Sequence, residues 1–255
     1  MIIFMFTGLV DGFSNVGSMP LVSWNVLGAF ILGIIGPVSL TWRSLTITTP
    51  TLDLRLFTNY RFTGHVIGFF LTQIMSLGFA FLLPNYIQLV NGNTSMVAGL
   101  VVLPAGFAGA IFAPLGGKIF DRFGARRPIL FGMTLCFLSL LSFAVISRQM
   151  SNTAIALIYI FYMAGMGMCM GCVMTSALQS VGSTKTTQGN AILNTLQQFA
   201  GAMGTSISAM IVASSQSQLK VSRSLSTAIG TQHAFIVLTV LSLIVWVSYY
   251  RSVKD

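Results

Sequence analysis

Gly117-Lys118-Ile119-Phe120-Asp121-Arg122-Phe123-Gly124-Ala125-Arg126-Arg127 holds four of the chain's thirteen basic residues and one of its four acidic ones. Its flanks are the opposite. No charged residue occurs upstream from Phe62 to Gly116, and none downstream from Pro128 to Ser147. A helix needs about 20 largely apolar residues to cross a hydrocarbon layer of about 30 Å. The upstream run therefore holds two such helices and the downstream run one, with the charged stretch as a connection between them. The rest of the chain repeats the pattern, with uncharged runs at 12–42, 149–184, 186–219 and 224–250.

Composition agrees. Of 255 residues, 55% are hydrophobic and 7% charged, and glutamate is absent. The mean hydropathy is +0.85, whereas a soluble domain carries roughly a quarter charged residues. The acids are Asp11, Asp53, Asp121 and Asp255, and the net charge is +9. A nucleic-acid binder gathers its basic residues on one solvated face; here they occupy short gaps between oily stretches, so the partner is a lipid bilayer and not nucleic acid. Cys136, Cys169 and Cys172 form no even disulfide framework. The Cys169-Met170-Gly171-Cys172 spacing matches a redox or zinc pair only superficially, because a thiolate in hydrocarbon is poorly stabilised and no second pair exists. Packing is the reading for these cysteines, with no metal site.

The expected architecture is an all-α polytopic membrane protein. Residues 1–10 are apolar but cover only half a bilayer at about 1.5 Å per residue. They have neither a basic leader nor a small-residue cleavage site, so they read as the end of a partial helix, which makes the chain look like a piece of a longer one. A complete helix is expected at 21–42, and a polar connection at 43–61. Further spans are expected at 62–90, Ser95 to about Gly117 with Ser95 as cap, 128–147, 153–178, 190–214 and 233–250, followed by a tail at 251–255. Strict alternation puts ten Lys and Arg on the side of the 117–127 connection and three on the other. Basic residues favour the cytoplasmic side, so the 43–61 connection and the C-terminus are expected there.

Four groups of residues stand out as candidates. In the 117–127 connection, a lone aspartate among four basic residues invites pairing with a cation or a helix N-terminus, a contact that would hold two bundles in one conformation. The alternative is that the basic residues only orient the protein. In the 190–214 helix, Asn190, Asn194, Gln197, Gln198, Gly201, Thr205 and Ser208 fall on one stripe, opposite Ile192, Leu196, Phe199, Met203 and Ile207. Amides are costly against lipid, so that stripe faces either a watery cavity or another helix. On the 62–90 helix, His65, Thr72 and Ser76 share a face with Gln73 at its edge. His65, near the cytoplasmic boundary, either titrates or is structural, and His233 reads as an interface residue at the start of the last span. On the 153–178 helix, Gly167 and Gly171 form a GxxxG pair. Met170 and Met174, among five methionines there, offer either core filling or pliable surface for a ligand.

The GKIFDRFGARR stretch resembles the signature between the second and third helices of a six-helix half in the major facilitator superfamily. LDLRLFTNYRF and FLLPNYIQLVNGNTSMVAGLVVLPAG, at 52–62 and 81–106, are similar to the start of the C-terminal half in its fourteen-helix drug:proton antiporter branch. The resemblance implies a six-helix C-terminal transporter half at 62–250, preceded by one complete and one partial central helix. It further implies that Gly117, Asp121, Arg122, Gly124, Arg126 and Arg127 form a conformational loop. His65, Thr72, Gln73, Ser76, Met170, Met174, Asn190, Asn194, Gln197 and Gln198 then become candidates for a cavity binding amphiphilic, drug-like substrates.

No Asp or Glu lies inside a complete span, so the resemblance implies that the coupling carboxylates belong to a missing N-terminal half. The expectation is the C-terminal part of a proton-coupled multidrug efflux transporter in a bacterial cell membrane, using a proton gradient and no cofactor, and not competent alone. Convergent catalytic carboxylates, a zinc motif and a nucleophile with its base are all lacking, so an enzyme is not expected. The alternative is a non-transporting membrane protein that binds or regulates a complete permease.

Overall fold

The computed structural model describes residues 54–218 and 221–253. The expected helices at 1–10 and 21–42, and most of the 43–61 connection, lie outside the described residues. A short 3₁₀ turn, Leu54–Thr58, leads into six helices: α1 Tyr60–Leu89, α2 Ser95–Phe123, α3 Arg126–Ile146, α4 Asn152–Gln179, α5 Thr186–Gln218 and α6 Arg223–Ser252. Five are long and apolar enough to cross a membrane, α5 being the exception. The all-helical, multi-pass reading holds.

Several boundaries move for identifiable reasons. Thr94, not Ser95, caps α2 by accepting a hydrogen bond from Val97 N. The expected last span at 233–250 extends to Arg223–Ser252, so the first two residues of the expected tail are helical. Ser222 caps this helix, and in the polar turns before His233 the hydroxyls of Thr227 and Thr231 are satisfied by donating to Arg223 O and Thr227 O, four residues back. His233 is therefore an exposed residue inside α6 and does not begin the span.

The largest correction concerns the 117–127 connection. Residues 117–123 are the last turns of α2, and the connection itself is only Gly124 and Ala125. Gly124 ends the helix at φ 80°, with its N–H bonded to Phe120 O at 2.9 Å. Glycine adopts that left-handed φ without a Cβ clash.

The helices alternate in direction, so two ends are defined. At one end Asn59 Nδ2 donates to Ser180 O at 2.8 Å, joining the start of α1 to the end of α4. At the other, Asn91 Nδ2 donates to Met150 O (3.0 Å) and Asn152 Oδ1 (2.7 Å), and Asn152 Nδ2 to Asn93 Oδ1 (2.6 Å). Among the described residues, Arg55, Arg61, Lys118, Arg122, Arg126, Arg127, Lys185 and Arg251 belong to the first end, and only Arg148 and Arg223 to the second. The charge bias expected from alternation is thus physically assembled.

Two features hold the bundle. Phe79 of α1 sits among Phe143, Tyr159, Tyr162 and Phe235, with centroids at 5.0, 5.2, 4.4 and 5.4 Å, all edge-on. This cluster joins α1, α3, α4 and α6, and such pairs add about 0.5–1.5 kcal/mol each beyond their buried area. The second feature is close backbone approach on both sides of α4. A β-carbon on Gly167 would collide with Gly109 O of α2, and one on Gly132 of α3 would lie 2.5 Å from Gly165 O. The expected Gly167/Gly171 pair is corrected here, since nothing lies within 4 Å of the Cβ position of Gly171. Gly167 acts instead with Gly109 across the interface, and Gly116 admits the backbone of Met168.

Gly167→Ala and Gly132→Ala are each expected to destabilise the bundle by about 1–3 kcal/mol through overpacking, whereas Gly171→Ala should change it by less than about 0.5 kcal/mol. Denaturation of the purified chain in detergent micelles, followed by circular dichroism, measures the difference.

Candidate functional site

The surface of the bundle divides by chemistry. From Ile236 to Val247 the exposed residues of α6, Ile236, Val237, Val240, Leu243, Ile244 and Val247, are all apolar. On α2 the buried positions are small (Ala98, Ala105, Gly109, Gly116), while Met96, Leu100, Leu103, Phe107, Ile111 and Leu115 point outward along one stripe. The start of α5 differs: Asn190, Asn194 and Gln198 are exposed and Gln197 is half-buried. Asn194 Nδ2 donates to Asn190 O at 2.9 Å and Asn190 Oδ1 at 3.0 Å, which leaves amide capacity directed outward. Gln198 lies about 18 Å along the helix from Thr186.

The polar stripe on α5 splits in two. Its second half is packing: Gly201 receives Leu77, Gly204 meets the backbone of Ile74, and Ser208 is buried against Gly78. Thr205 Oγ1 is satisfied by Gly201 O and Ala202 O. Only the first half, from Asn190 to Gln198, presents polar groups outward. On its inner side Phe199 stacks on Phe70 of α1 at 5.9 Å, so the amides are held by a helix seated against α1.

The other candidates lie elsewhere. His65 is buried; its Nδ1 bonds Arg61 O at 2.7 Å, and its Nε2 bonds Ser176 Oγ at 2.9 Å. A carbonyl only accepts, so Nδ1 carries the proton and Nε2 accepts from the serine. Both ring nitrogens are used, Nδ1 within α1 and Nε2 in joining α1 to α4. Thr72 is buried against α6, donating to Gly68 O at 2.7 Å and lying 3.4 Å from Tyr249 Oη. Gln73 is buried, Ser76 is half-buried, and Met170 and Met174 are half-buried against the core. The structure thus brings Asn190, Asn194, Gln197 and Gln198 together, but sets His65 and Thr72 inside the half. The three cysteines are unpaired and buried.

At the basic end, Phe123 lies beneath two guanidinium groups, those of Arg122 at 5.2 Å and Arg127 at 4.8 Å, and Arg126 covers Tyr250 at 4.9 Å. Gly117 has open space around it. Asp121 is exposed in the last turn of α2 and forms no ion pair among the described residues. A carboxylate there sits at the negative end of its own helix dipole, which makes it a group in want of a partner.

The sequence reading missed the asparagine cluster at the far end. Tyr86 Oη, buried, accepts from Met150 N at 3.2 Å and completes it. The only signal was Asn-Gly-Asn at 91–93 with a second Asn at 152, and sequence alone does not show that those loops meet.

Comparison with known proteins adds the following. The profile of the Major Facilitator Superfamily matches residues 26–205. The lincomycin resistance protein LmrB of Listeria monocytogenes is 33% identical over 211 residues, covering 83% of this chain and 45% of that protein. The lincomycin resistance protein LmrB of Bacillus subtilis is 31% identical over 250 residues, covering 94% and 52%. The multidrug resistance protein Stp of Mycobacterium tuberculosis is 24% identical over 197 residues, covering 76% and 36%. The chain spans about half the length of the first relatives it matches.

Because the native cysteines are buried, the surface chemistry is open to labelling. A water-soluble maleimide is expected to modify Asn194→Cys in membranes but not Leu193→Cys, which is buried, nor Val240→Cys, which faces lipid. Mass spectrometry of the purified chain scores each position.

Proposed function

The chain belongs to the major facilitator superfamily, and from that premise we propose that it is the C-terminal half of a proton-coupled multidrug efflux transporter working by alternating access. The observation that carries this reading is the row of outward amides at Asn190, Asn194 and Gln198, whereas the exposed residues of α2 from Met96 to Leu115 and of α6 from Ile236 to Val247 are apolar. Unsatisfied amides at bilayer depth cost several kcal/mol each, so this face belongs against water or a second protein half. A facilitator places its substrate between two such halves near the midplane.

In this reading Asn190, Asn194, Gln197 and Gln198 line the cavity and orient an amphiphilic substrate. His65, Thr72, Gln73 and Ser76 fix α1 behind them, and Met170 and Met174 supply adaptable apolar bulk. The relatives' names, lincomycin and multidrug resistance, support a drug-like substrate. Asp121, Arg122, Arg126 and Arg127, with Gly117 and Gly124, form the gating segment, and Asp121 finds its partner on the other half. Asp121 is the one carboxylate among the described residues, so the groups that carry coupled protons are assigned to the N-terminal half. The basic end faces the cytoplasm, the C-terminus with it, in the cell membrane.

The test is drug accumulation in bacterial cells. Alone, the chain should leave ethidium accumulation unchanged; supplied with the N-terminal half of a relative such as LmrB of Bacillus subtilis, it should lower it. In the reunited pair, Asn194→Ala with Gln198→Ala removes about two hydrogen bonds and should weaken apparent affinity roughly 10-fold or more. Asp121→Asn should slow efflux without altering drug binding. Proton-driven drug uptake by liposomes holding the chain alone would overturn the half-transporter reading. Unchanged efflux by the amide double variant would remove the cavity assignment.

A further inference from the structure

At the basic end, the first turn of α1 and the last two turns of α6 leave an open groove of about 470 Å³, lined by Tyr60, Ile244, Val247, Ser248, Arg251 and Ser252. Its upper part is cationic and polar. Arg251 is exposed and engages no described residue. Ser248 carries a hydroxyl that no described residue takes up. Arg61 sends its Nε to Tyr60 Oη at 3.1 Å, which brings a second guanidinium to the rim. The nearest thing to a counter-charge among the described residues is Asp121, which lies at the end of α2 and does not line the groove.

The lower part is apolar. Ile244 and Val247 continue directly into the exposed stripe of Val240, Leu243 and Val237 down α6. The floor is closed where Gly64 admits α6: a β-carbon at Gly64 would lie 3.1 Å from Ser252 Cβ. Tyr60 and Tyr250 are both exposed at this level, and Trp246 stacks on Tyr250 at 5.5 Å while its Nε1 donates to Thr134 Oγ1 at 3.0 Å. Amphipathic rings of this kind mark the boundary between headgroups and acyl chains.

We propose that this α1–α6 groove seats an anionic phospholipid of the inner leaflet, its phosphate held by Arg251 and Arg61 with Ser248, and one acyl chain lying along Ile244, Val247 and Val240. The occupant must be negatively charged at the interface and apolar below it. A soluble anion leaves the apolar trough exposed, and a zwitterionic lipid brings a third cation to a site that already holds two. Basic pockets between membrane helices on the cytoplasmic side recognise anionic headgroups by this combination. A guanidinium also pairs with a phosphate through two parallel hydrogen bonds, which an ammonium does not reproduce. The proposal shares with the transporter reading the inward placement of this end, but it does not need a transport cycle.

The experiment uses the purified full chain, equilibrated with equimolar phosphatidylglycerol and phosphatidylcholine in mixed micelles and analysed by native mass spectrometry. Phosphatidylglycerol should be retained about 30-fold over phosphatidylcholine, the preference expected from two basic residues at the interface. Arg251→Gln should lower the ratio about fivefold, and Arg251→Lys should lower it less. Raising sodium chloride from about 0.1 M to about 0.5 M should weaken the preference. Equal retention of the two lipids by the unaltered chain, or an unchanged ratio in Arg251→Gln, overturns the proposal; the first result requires no variant to fold. Glycerol phosphate competing at the same concentration as the lipid would also overturn it, since the apolar trough would then contribute nothing. The orientation is read separately, by impermeant maleimide on intact cells carrying Lys118→Cys. Labelling there refutes the inward placement and moves the site to the outer leaflet, while the lipid ratio still reports on the groove itself.

Discussion

The close backbone contacts on either side of α4 are what the rest of the bundle depends on. In lipid there is no hydrophobic drive to bring apolar helices together, so association rests on van der Waals packing and interhelical hydrogen bonds. Gly167 against Gly109 and Gly165 against Gly132 let α4 touch α2 and α3 at backbone distance. The aromatic cluster around Phe79 then has a fixed space to fill. A second backbone-level crossing, Gly204 against Ile74, seats α5 on α1. Because α5 is fixed by its glycine and serine half, its amide half is presented at a set height and direction.

That arrangement explains why the surface is not uniform. On α2 the small residues make the contacts and the large ones lie outside, with Ala98, Ala105, Gly109 and Gly116 inside and Phe107 and Ile111 outside. An apolar exterior is stable in lipid and needs no partner. The Asn190–Gln198 row is the exception, and an exception of that kind in a membrane is costly enough to indicate function. At the two ends the chemistry is again different. The asparagine cluster ties the loops at 91–93 and 150–152 through side-chain amides, while the basic end is held by guanidinium groups lying on aromatic rings.

Much of this was legible in the sequence, because lipid imposes a coarse rule that charge-free run length reports directly. Every described helix contains the core of an expected span, and the alternation of basic residues survives as two physical ends. Helix boundaries were less legible. The last span is expected only from His233, yet the helix begins at Arg223, with the hydroxyls of Thr227 and Thr231 satisfied by carbonyls four residues back. Residues 117–123 read as part of a connection because charge marks where a helix leaves the bilayer, not where its hydrogen bonding stops. The α5 stripe carried two readings at sequence level, cavity and packing, and the structure divides them between its halves. No periodicity within α5 separates Gln198 from Ser208; the difference lies in what α1 places opposite each. His65 and Thr72 share a face with Ser76 as expected, but a face is only a direction until the neighbouring helices are known.

The electrostatics of the basic end bear on how such a half changes state. Arg122, Arg126 and Arg127 already have aromatic partners within the half, which stabilise them without neutralising them. Asp121 forms no ion pair among the described residues and stands at the unfavourable end of its own helix. On the proposed alternating-access reading, a contact made by Asp121 across a second half would be gained or lost without a compensating ion pair among the described residues, whereas the arginines have their aromatic contacts within the half. A ligand or contact shifts a two-state equilibrium only through the group whose interaction differs between the states. On that reading Asp121, and not the more numerous cations around it, would be the switching element of this end.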